Sequence, residues 1–424
     1  MRRKNSQFSR SFSVLLIRVG GAALQLILVA LAVALFPVHD VGQNAILWSA
    51  AIMARVGGTL GLDLYILREL PSLWEDSQAE FGLRSKGILQ SLLWVLIPVT
   101  ILLFAGGIWL DSIGSLDIQM AYAIPLVVFA SALQRLWSCQ LRARGQLMLG
   151  QTLDAIVLPS AAIGFLIASH TWAPHLFIAG QCASIVLLSA VMSALLRSDF
   201  RQKGKQKRLT RRDWKQVVPL GAGSGLSVLS SRAPIMFVGA ASITQAASYE
   251  IGQRIHSAAT LASASATAVL FPRVKGHIKR GDTRQLLREL VSAVFLGVIP
   301  ALFILIGLLL AGPERTQLLM GPEYAGAWAT AIVLAAAACV NSVTGLCHGV
   351  LAMAGSGQAF WIIAAVQASI TLVYGVFYFD GVSVHMATFA LIMEIGRGIV
   401  LLVLTRRLLK SISMPMHDME TEKL

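Results

Sequence analysis

The chain has 424 residues, of which 56% are apolar and 13% are charged, and its mean hydropathy is +0.71. This composition excludes a soluble domain of that length. It also excludes a membrane barrel, because the apolar stretches are continuous and do not alternate in runs of about 10 residues. The formal net charge of +14 therefore lies mainly in the links between membrane helices.

Apolar stretches of about 20 residues, the length of a membrane-spanning helix, recur along the whole chain. Internal charges interrupt the second, fourth and eighth of them. We predict an all-α integral membrane protein with twelve spans, at residues 12–36, 41–67, 88–110, 120–141, 149–168, 176–196, 217–241, 248–271, 290–311, 325–354, 359–379 and 384–404.

Lysine and arginine residues gather in alternate links, which is typical of links on the cytoplasmic side. They precede span one and follow spans two, four, six, eight and twelve: Arg2, Arg3, Lys4, Arg10, Arg68, Arg84, Lys86, Arg142, Arg144, the runs 201–215 and 273–288, Arg406, Arg407 and Lys410. On the opposite side the sequence has only Arg315. Both termini are therefore predicted to lie in the cytoplasm.

The basic run 201–215 does not predict a nucleic-acid site, because only Trp214 in it could stack on a base. We attribute its charge to orientation and to contact with anionic membrane lipids. The four cysteines all fall inside predicted spans, and their spacing fits neither a disulfide framework nor a metal site. No metal and no cofactor is predicted.

The basic link 201–216 divides the spans into an N-terminal six-helix lobe, 1–200, and a C-terminal six-helix lobe, 217–410, with a cytoplasmic tail at 411–424. An even number of spans per lobe means that both lobes enter the membrane from the same side. Parallel repeats of this kind are one transporter plan, in which the substrate site lies between the halves.

Spans one and seven correspond in such a repeat, and both combine an arginine with residues that loosen a helix. Span one carries Arg18, Gly20 and Gly21, and span seven carries Pro219, Gly221, Gly223, Gly225, Arg232 and Pro234. Matched glycines and prolines point to a transport site. Close helix packing through small residues is the alternative explanation for the glycines.

Arg18, Arg55 and Arg232 lie inside predicted spans. A guanidinium group costs ~2.5 kcal/mol or more at the centre of a membrane helix, so each is expected to face a shared polar interior that binds an anionic substrate. Arg55 and Arg232 lie deep in their spans. Arg18 lies nearer the start of span one, where its side chain could alternatively reach the headgroups.

Two segments of the sequence resemble a known family. They are the segment with Ala247, Tyr249, Arg254 and Leu270-Phe271-Pro272, and the segment 318–325, with Gly321, Glu323 and Tyr324. In these segments, and in order and placement over essentially the whole chain, the protein resembles the oligosaccharide flippases of the polysaccharide-export family. That family belongs to the multidrug/oligosaccharidyl-lipid/polysaccharide exporter superfamily.

The resemblance implies a V-shaped bundle of two six-helix lobes in the bacterial inner membrane. Such a bundle would move a polyprenyl-pyrophosphate-linked, anionic oligosaccharide outward, with a polysaccharide polymerase and a chain-length regulator as partners. Relatives that flip peptidoglycan precursor place arginines on helices one, two and eight, which Arg18, Arg55 and Arg254 match. Those relatives usually have fourteen spans, and the twelve predicted here favour an O-antigen or exopolysaccharide unit instead.

Two pairs of opposite charges are predicted inside spans. Glu250 and Arg254 are spaced i,i+4 on span eight, and Glu394 and Arg397 are spaced i,i+3 on span twelve. Each pair can be a structural ion pair. Alternatively, Arg254 points at substrate while Glu250 neutralises the empty site. On span twelve, Arg397 and Glu394 could have the same two roles.

Asp63 and Asp154 lie near the cytoplasmic ends of spans two and five. Each could pair with an arginine, bind a coupling cation or simply reach water. Arg135 and Arg142, on or just after span four, are expected at the cytoplasmic rim, where they help to orient the protein or to recruit an anionic headgroup.

Three rival functions are weighed against flipping. Nucleotide-driven pumping is disfavoured because no G-x-x-x-x-G-K-[ST] loop occurs, and a glycan-processing enzyme is disfavoured because the external links are short. A multidrug or metabolite antiporter of the same superfamily is the closer rival, although it would favour acidic groups over arginines. A scaffold without transport would leave Arg55 unexplained.

Overall fold

The computed structural model describes residues 2–112, 118–197, 209–263, 282–324, 326–353 and 357–413, with the single residues 266, 270, 274 and 277. The described residues leave out 201–208 of the predicted link, 267–269 of predicted span eight and 414–424 of the predicted tail. They also leave out Phe271 and Pro272 of Leu270-Phe271-Pro272.

The described residues are almost entirely helical, as a membrane chain requires, because lipid offers no partner for open backbone groups. A π-helical turn at Leu153–Val157 joins α6 to α7, and short 3₁₀ turns lie at Pro174–Leu176 and Pro322–Tyr324. The helices are α1 (Arg2–Leu35), α2 (Val38–Val56), α3 (Leu62–Asp76), α4 (Gln78–Ser112), α5 (Ile118–Ala143), α6 (Leu147–Thr152), α7 (Leu158–Trp172), α8 (Phe177–Leu195), α9 (Arg211–Ala241), α10 (Ile243–Ala259), α11 (Thr283–Met320), α12 (Ala327–Met353), α13 (Gly357–Phe377) and α14 (Ser383–Ser413).

Eight segments among the described residues are long and apolar enough to cross a membrane, judged by length and composition. They are Leu16–Leu35, Gln78–Trp109, Gln119–Ala143, Leu147–Trp172, Phe177–Leu195, Thr283–Leu318, Pro322–Leu351 and Ser383–Leu409. Each coincides with a predicted span. The predicted all-α membrane fold is therefore confirmed.

The predicted second span, 41–67, is wrong as a single helix. The structure ends α2 at Val56 and begins α3 at Leu62. The backbone turns over between them, where Leu60 and Gly61 have φ values of 52° and 84°. Hydropathy alone could not show this break, because the glycines and Leu60 that form it are as apolar as the flanking helices.

The chain forms two compact units, which we call the N-terminal unit, 16–250 with 364–381, and the C-terminal unit, 1–15 with 251–363 and 382–424. Compactness does not test an internal repeat, so the predicted lobes remain a prediction.

In the N-terminal unit, α5 is the central helix and contacts α2, α3, α4, α6 and α8. Its apolar window has the largest buried share among the eight apolar segments. α9 packs along α2 and α3, beside the break. Polar residues on α5 are therefore enclosed by neighbouring helices and do not face lipid.

In the C-terminal unit, α12 is the central helix and contacts both α11 and α14. Leu286 and Leu290 of α11 pack in one apolar cluster with Leu346 and Val350 of α12. α11 is kinked at Gly312, which has a φ of 75° and precedes a proline.

Candidate functional site

The break between α2 and α3 positions two of the predicted site residues. Arg55 lies in the last turn of α2, and Asp63 lies in the first turn of α3. Hydrogen bonds of the turn satisfy its backbone, with Leu60 N donating to Gly57 O at 3.0 Å and the Thr59 hydroxyl donating to Val56 O at 2.9 Å. A membrane helix tolerates such a break where protein encloses it, and broken helices commonly line transport sites.

Asp154 collects four polar side chains inside the N-terminal unit. Arg55 and Arg142 donate to its two carboxylate oxygens at 2.9 and 2.6 Å. The Ser138 hydroxyl donates at 2.5 Å, and the Gln134 amide donates at 3.3 Å. One carboxylate is therefore shared by two guanidinium groups.

Asp154 lies in the π-helical turn Leu153–Val157. A π turn holds one residue more than the same length of α-helix, and such turns are frequent at functional sites. Gly20 and Gly21 of α1 lie directly against this turn, because a Cβ on Gly21 would fall 2.9 Å from the Cβ of Ala155. Glycine in span one therefore serves close packing against the segment that presents Asp154.

Asp63 forms a second pair beside the first. Its carboxylate accepts a hydrogen bond from Arg135 Nε at 3.0 Å and another from the Thr59 hydroxyl at 3.0 Å. Asp63 is almost fully buried, at 1% exposure. A buried carboxylate needs such partners, since removal of one member of a buried pair commonly costs about 3–5 kcal/mol.

Arg18 adds a further positive charge to these two pairs. It lies close enough to Arg142 and Arg135 for mutual repulsion. We call the whole set the ionic cluster: Arg18, Arg55, Asp63, Arg135, Arg142 and Asp154. The cluster holds four guanidinium groups and two carboxylates, so it carries a formal excess of two positive charges.

Arg135 and Arg142 were expected at the cytoplasmic rim, and the structure shows that Arg135 pairs with Asp63 and Arg142 with Asp154. Arg135, Ser138 and Arg142 are spaced i, i+3 and i+7, which places them on one face of the helix. That polar face on an otherwise apolar span was the signal that could have identified them.

The other predicted site residues of α9 and α10 are Arg232, Glu250 and Arg254. Arg232 is half-buried on α9 and lies near Tyr249, which is also close to Glu250. Glu250 and Arg254 are both buried on α10.

Glu394 and Arg397 form the expected pair in the C-terminal unit, at 2.5 Å on α14. Arg397 also donates to Asn341 at 2.9 Å and to Thr344 at 3.4 Å, both on α12. The pair therefore ties α14 to the central helix of its unit.

A second polar group joins three helices of the N-terminal unit. Arg84 of α4 contacts Asp213 at 2.7 Å and donates to the Tyr65 hydroxyl at 2.7 Å, while Tyr65 donates to Asp213 at 2.8 Å. Asp213 also caps α9 with Thr210 in a capping box. Burial raises the pKa of Asp213, but its hydrogen bonds from Thr210, Arg84 and Tyr65 outweigh burial and hold that pKa well below its usual range.

Chemically, the ionic cluster is suited to binding and to exchange of partners. A phosphate could replace a carboxylate oxygen as the partner of a guanidinium group.

Comparison with known proteins identifies the fold of the chain through solved structures. No protein-family model matches the chain, and no curated protein matches it. Solved transporters match over nearly the whole length. An outward-facing multidrug resistance MATE family transporter of the MOP superfamily has a TM-score of 0.65 at 14% identity, covering 95% of this chain and 96% of that one. An inward-facing transporter of the same description has a TM-score of 0.66 at 12% identity, covering 95% and 98%.

A third similar structure is a MOP superfamily transporter from Pyrococcus furiosus, with a TM-score of 0.62, 14% identity and 96% coverage of both chains. It is described as having a binding pocket of reverse polarity that suggests a different function. At these identities the likeness establishes the fold alone, which is the twelve-helix, two-lobe fold of MATE transporters.

Proposed function

We propose that this chain is a secondary transporter that works by alternating access. Solved proteins with its fold are described in both outward-facing and inward-facing conformations. Its sequence has no G-x-x-x-x-G-K-[ST] loop for nucleotide phosphates. The driving force is therefore expected to be an ion gradient.

The first candidate activity is cation-coupled export of drugs or metabolites, which the structural neighbours support better because they are described as multidrug transporters. The observation that carries this reading is the sharing of Asp154 between Arg55 and Arg142. A coupling cation bound at Asp154 would compete with both arginines for its carboxylate oxygens. The packing of α2, α5 and the π turn would then change with cation binding.

The second candidate is flipping of a polyprenyl-pyrophosphate-linked oligosaccharide, and the charge of the ionic cluster favours it. Guanidinium groups bind phosphate oxygens through two parallel hydrogen bonds, and the cluster has more arginines than carboxylates. The Pyrococcus furiosus transporter is described with a pocket of reverse polarity, so a related fold is not limited to one polarity of cargo. Under this candidate, the chain lies in the bacterial inner membrane and takes part in O-antigen or exopolysaccharide synthesis.

One experiment with two readouts separates the candidates. The gene is deleted in its own host and replaced by the wild type, Asp154→Asn, Arg55→Ala, Arg55→Lys, Arg232→Ala or the control Arg315→Ala, which is predicted to lie on the external side. Membrane levels are checked by immunoblot. Susceptibility to cationic dyes and drugs is measured beside surface polysaccharide and lipid-linked oligosaccharide in the membrane.

Antiport predicts that deletion and Asp154→Asn sensitise the cells to drugs while surface polysaccharide stays normal. Flipping predicts that deletion, Arg55→Ala and Arg232→Ala abolish surface polysaccharide and accumulate the lipid-linked precursor, and that Arg55→Lys is only partly tolerated. If deletion changes neither readout, both candidates are wrong.

A further inference from the structure

The C-terminal unit has an apolar groove outside the features described so far. Its volume is about 670 Å³, and α11, α12 and α14 line it through residues that include Leu287, Val291, Val343 and Leu402. That volume lies within the range of about 300–1,000 Å³ typical of ligand sites. Leu287 and Leu402 are about half exposed, and both belong to apolar membrane segments, so the groove opens toward lipid.

Polar residues line the same groove. Thr283 and Arg284 belong to the first turn of α11, and Arg406 lies one turn beyond the apolar wall of α14. Both arginines are exposed. Asp282 already caps α11 by accepting from Gln285 N at 3.2 Å. Arg284 and Arg406 are the cationic side chains that line the groove among the described residues.

We propose that this groove binds one anionic phospholipid of the surrounding bilayer, with the phosphate at Arg284 and Arg406 and an acyl chain along the apolar walls. The basic segments before span nine and after span twelve predict that this end of the unit faces the cytoplasm. The cytoplasmic leaflet is the one rich in anionic lipid. The binding is independent of the transported cargo.

Native mass spectrometry of the intact chain tests the proposal, with dioleoylphosphatidylglycerol, dioleoylphosphatidylcholine and undecaprenyl phosphate titrated separately into the detergent-purified protein. Glycerol phosphate is added to the phosphatidylglycerol complex as a competitor. The wild type is expected to retain one phosphatidylglycerol more tightly than phosphatidylcholine. Arg284→Gln with Arg406→Gln should weaken phosphatidylglycerol binding roughly 30-fold, about fivefold for each arginine. The matched control is Arg288→Gln with Arg407→Gln, since both are exposed arginines of the same helices and neither lines the groove. It should change phosphatidylglycerol binding by less than about twofold.

A second pair of variants tests the apolar wall. Val291 lines the groove and is 46% exposed, whereas Val403 does not line it and is 47% exposed. Val291→Trp is expected to fill the groove and to lower retention of phosphatidylglycerol, while Val403→Trp leaves retention unchanged.

Several outcomes would overturn the proposal. Equal retention of the two lipids, or equal losses in the two arginine pairs, would indicate only the general charge of the surface. Complete competition by glycerol phosphate would indicate an anion site that needs no acyl chain. Tighter binding of undecaprenyl phosphate than of phosphatidylglycerol would assign the groove to a carrier lipid instead.

Discussion

Asp154 accepts hydrogen bonds from both Arg55 and Arg142, so its removal would leave two guanidinium groups without this partner. Arg55 is less central. Without it, Asp154 would keep Arg142, Ser138 and Gln134. Removal of Asp154 is therefore expected to lower the free energy of unfolding more than removal of Arg55.

We predict that Asp154→Leu lowers the free energy of unfolding by about 3 kcal/mol or more, because breaking a buried pair from one side leaves an uncompensated charge. Arg55→Leu should cost less. Thermal unfolding of the purified variants in one detergent measures the difference. Restoring stability by combining Asp154→Leu with Arg142→Leu would support the charge argument, and equal losses for the two single variants would contradict it.

At this scale the sequence identified the candidates but not their pairing. Arg55 and Asp154 are separated by 99 residues, and nothing in the spacing of either one points to the other. The partner roles of Arg135 and Arg142 depend on α5 being enclosed by its neighbours, which is a property of the packed unit. The pair Glu394–Arg397 could be predicted because both residues lie on one helix.

At the scale of elements, the break between α2 and α3 depends on glycine. Gly61 has a φ of 84°, and a Cβ at this position would lie 2.6 Å from the Val217 carbonyl oxygen of α9. Gly221 of α9 meets the same turn from the other side. The glycines of spans two and seven thus let α9 approach the turn that carries Arg55 and Asp63.

We predict that Gly61→Ala destabilises the protein by more than backbone strain alone. Gly145→Ala is the matched control, because Gly145 has a φ of 83° but a Cβ added there would have no neighbouring atom within 4 Å. The control should cost about 1–2 kcal/mol, the penalty of a left-handed conformation. Gly61→Ala should lower the melting temperature further, and equal shifts for the two variants would contradict the close approach to α9.

The polar group around Asp213 joins α3, α4 and α9, and its contribution to stability depends on pH. The pKa of Asp213 is held well below its usual range by the hydrogen bonds of Thr210, Arg84 and Tyr65, which outweigh burial. A carboxyl with a depressed folded-state pKa stabilises the fold above its unfolded pKa, about 3.9, and this stabilisation is lost as pH falls through the folded-state value.

We predict that the wild type melts above Asp213→Asn at neutral pH and that the gap narrows below about pH 5. Melting curves of both proteins between pH 7 and pH 3 measure the gap. Thr210→Ala serves as a comparison that removes part of the cap but keeps the carboxylate. A gap that widens on acidification would show that Asp213 is not stabilised as its contacts indicate.

At the scale of the whole molecule, the order of apolar segments predicted the fold, since continuous runs of this length can satisfy their backbone in lipid only as helices. The central helices of the two units, α5 and α12, are the fourth and tenth predicted spans. These are equivalent positions in a plan of two sets of six. The cargo of the proposed transporter could not be predicted in the same way, because one fold serves several functions.

The charge of the links predicts that both termini and the run 201–215 face the cytoplasm, with Arg315 on the opposite side. A fluorescent protein fused after Leu424 should therefore fluoresce, and alkaline phosphatase fused after Arg315 should be active. Phosphatase fused within 201–208 is the control and should be inactive. Activity of that fusion would require a different number of spans before the link.

The π-helical turn at Leu153–Val157 amounts to one inserted residue in an otherwise regular helix. Among homologous chains, a single-residue gap at this point would restore an unbroken helix and rotate the carboxylate away from its arginines by roughly a quarter turn. One alignment column would then distinguish homologues that have this charged interior from homologues that lack it. The number of times the chain crosses the bilayer would be the same in both.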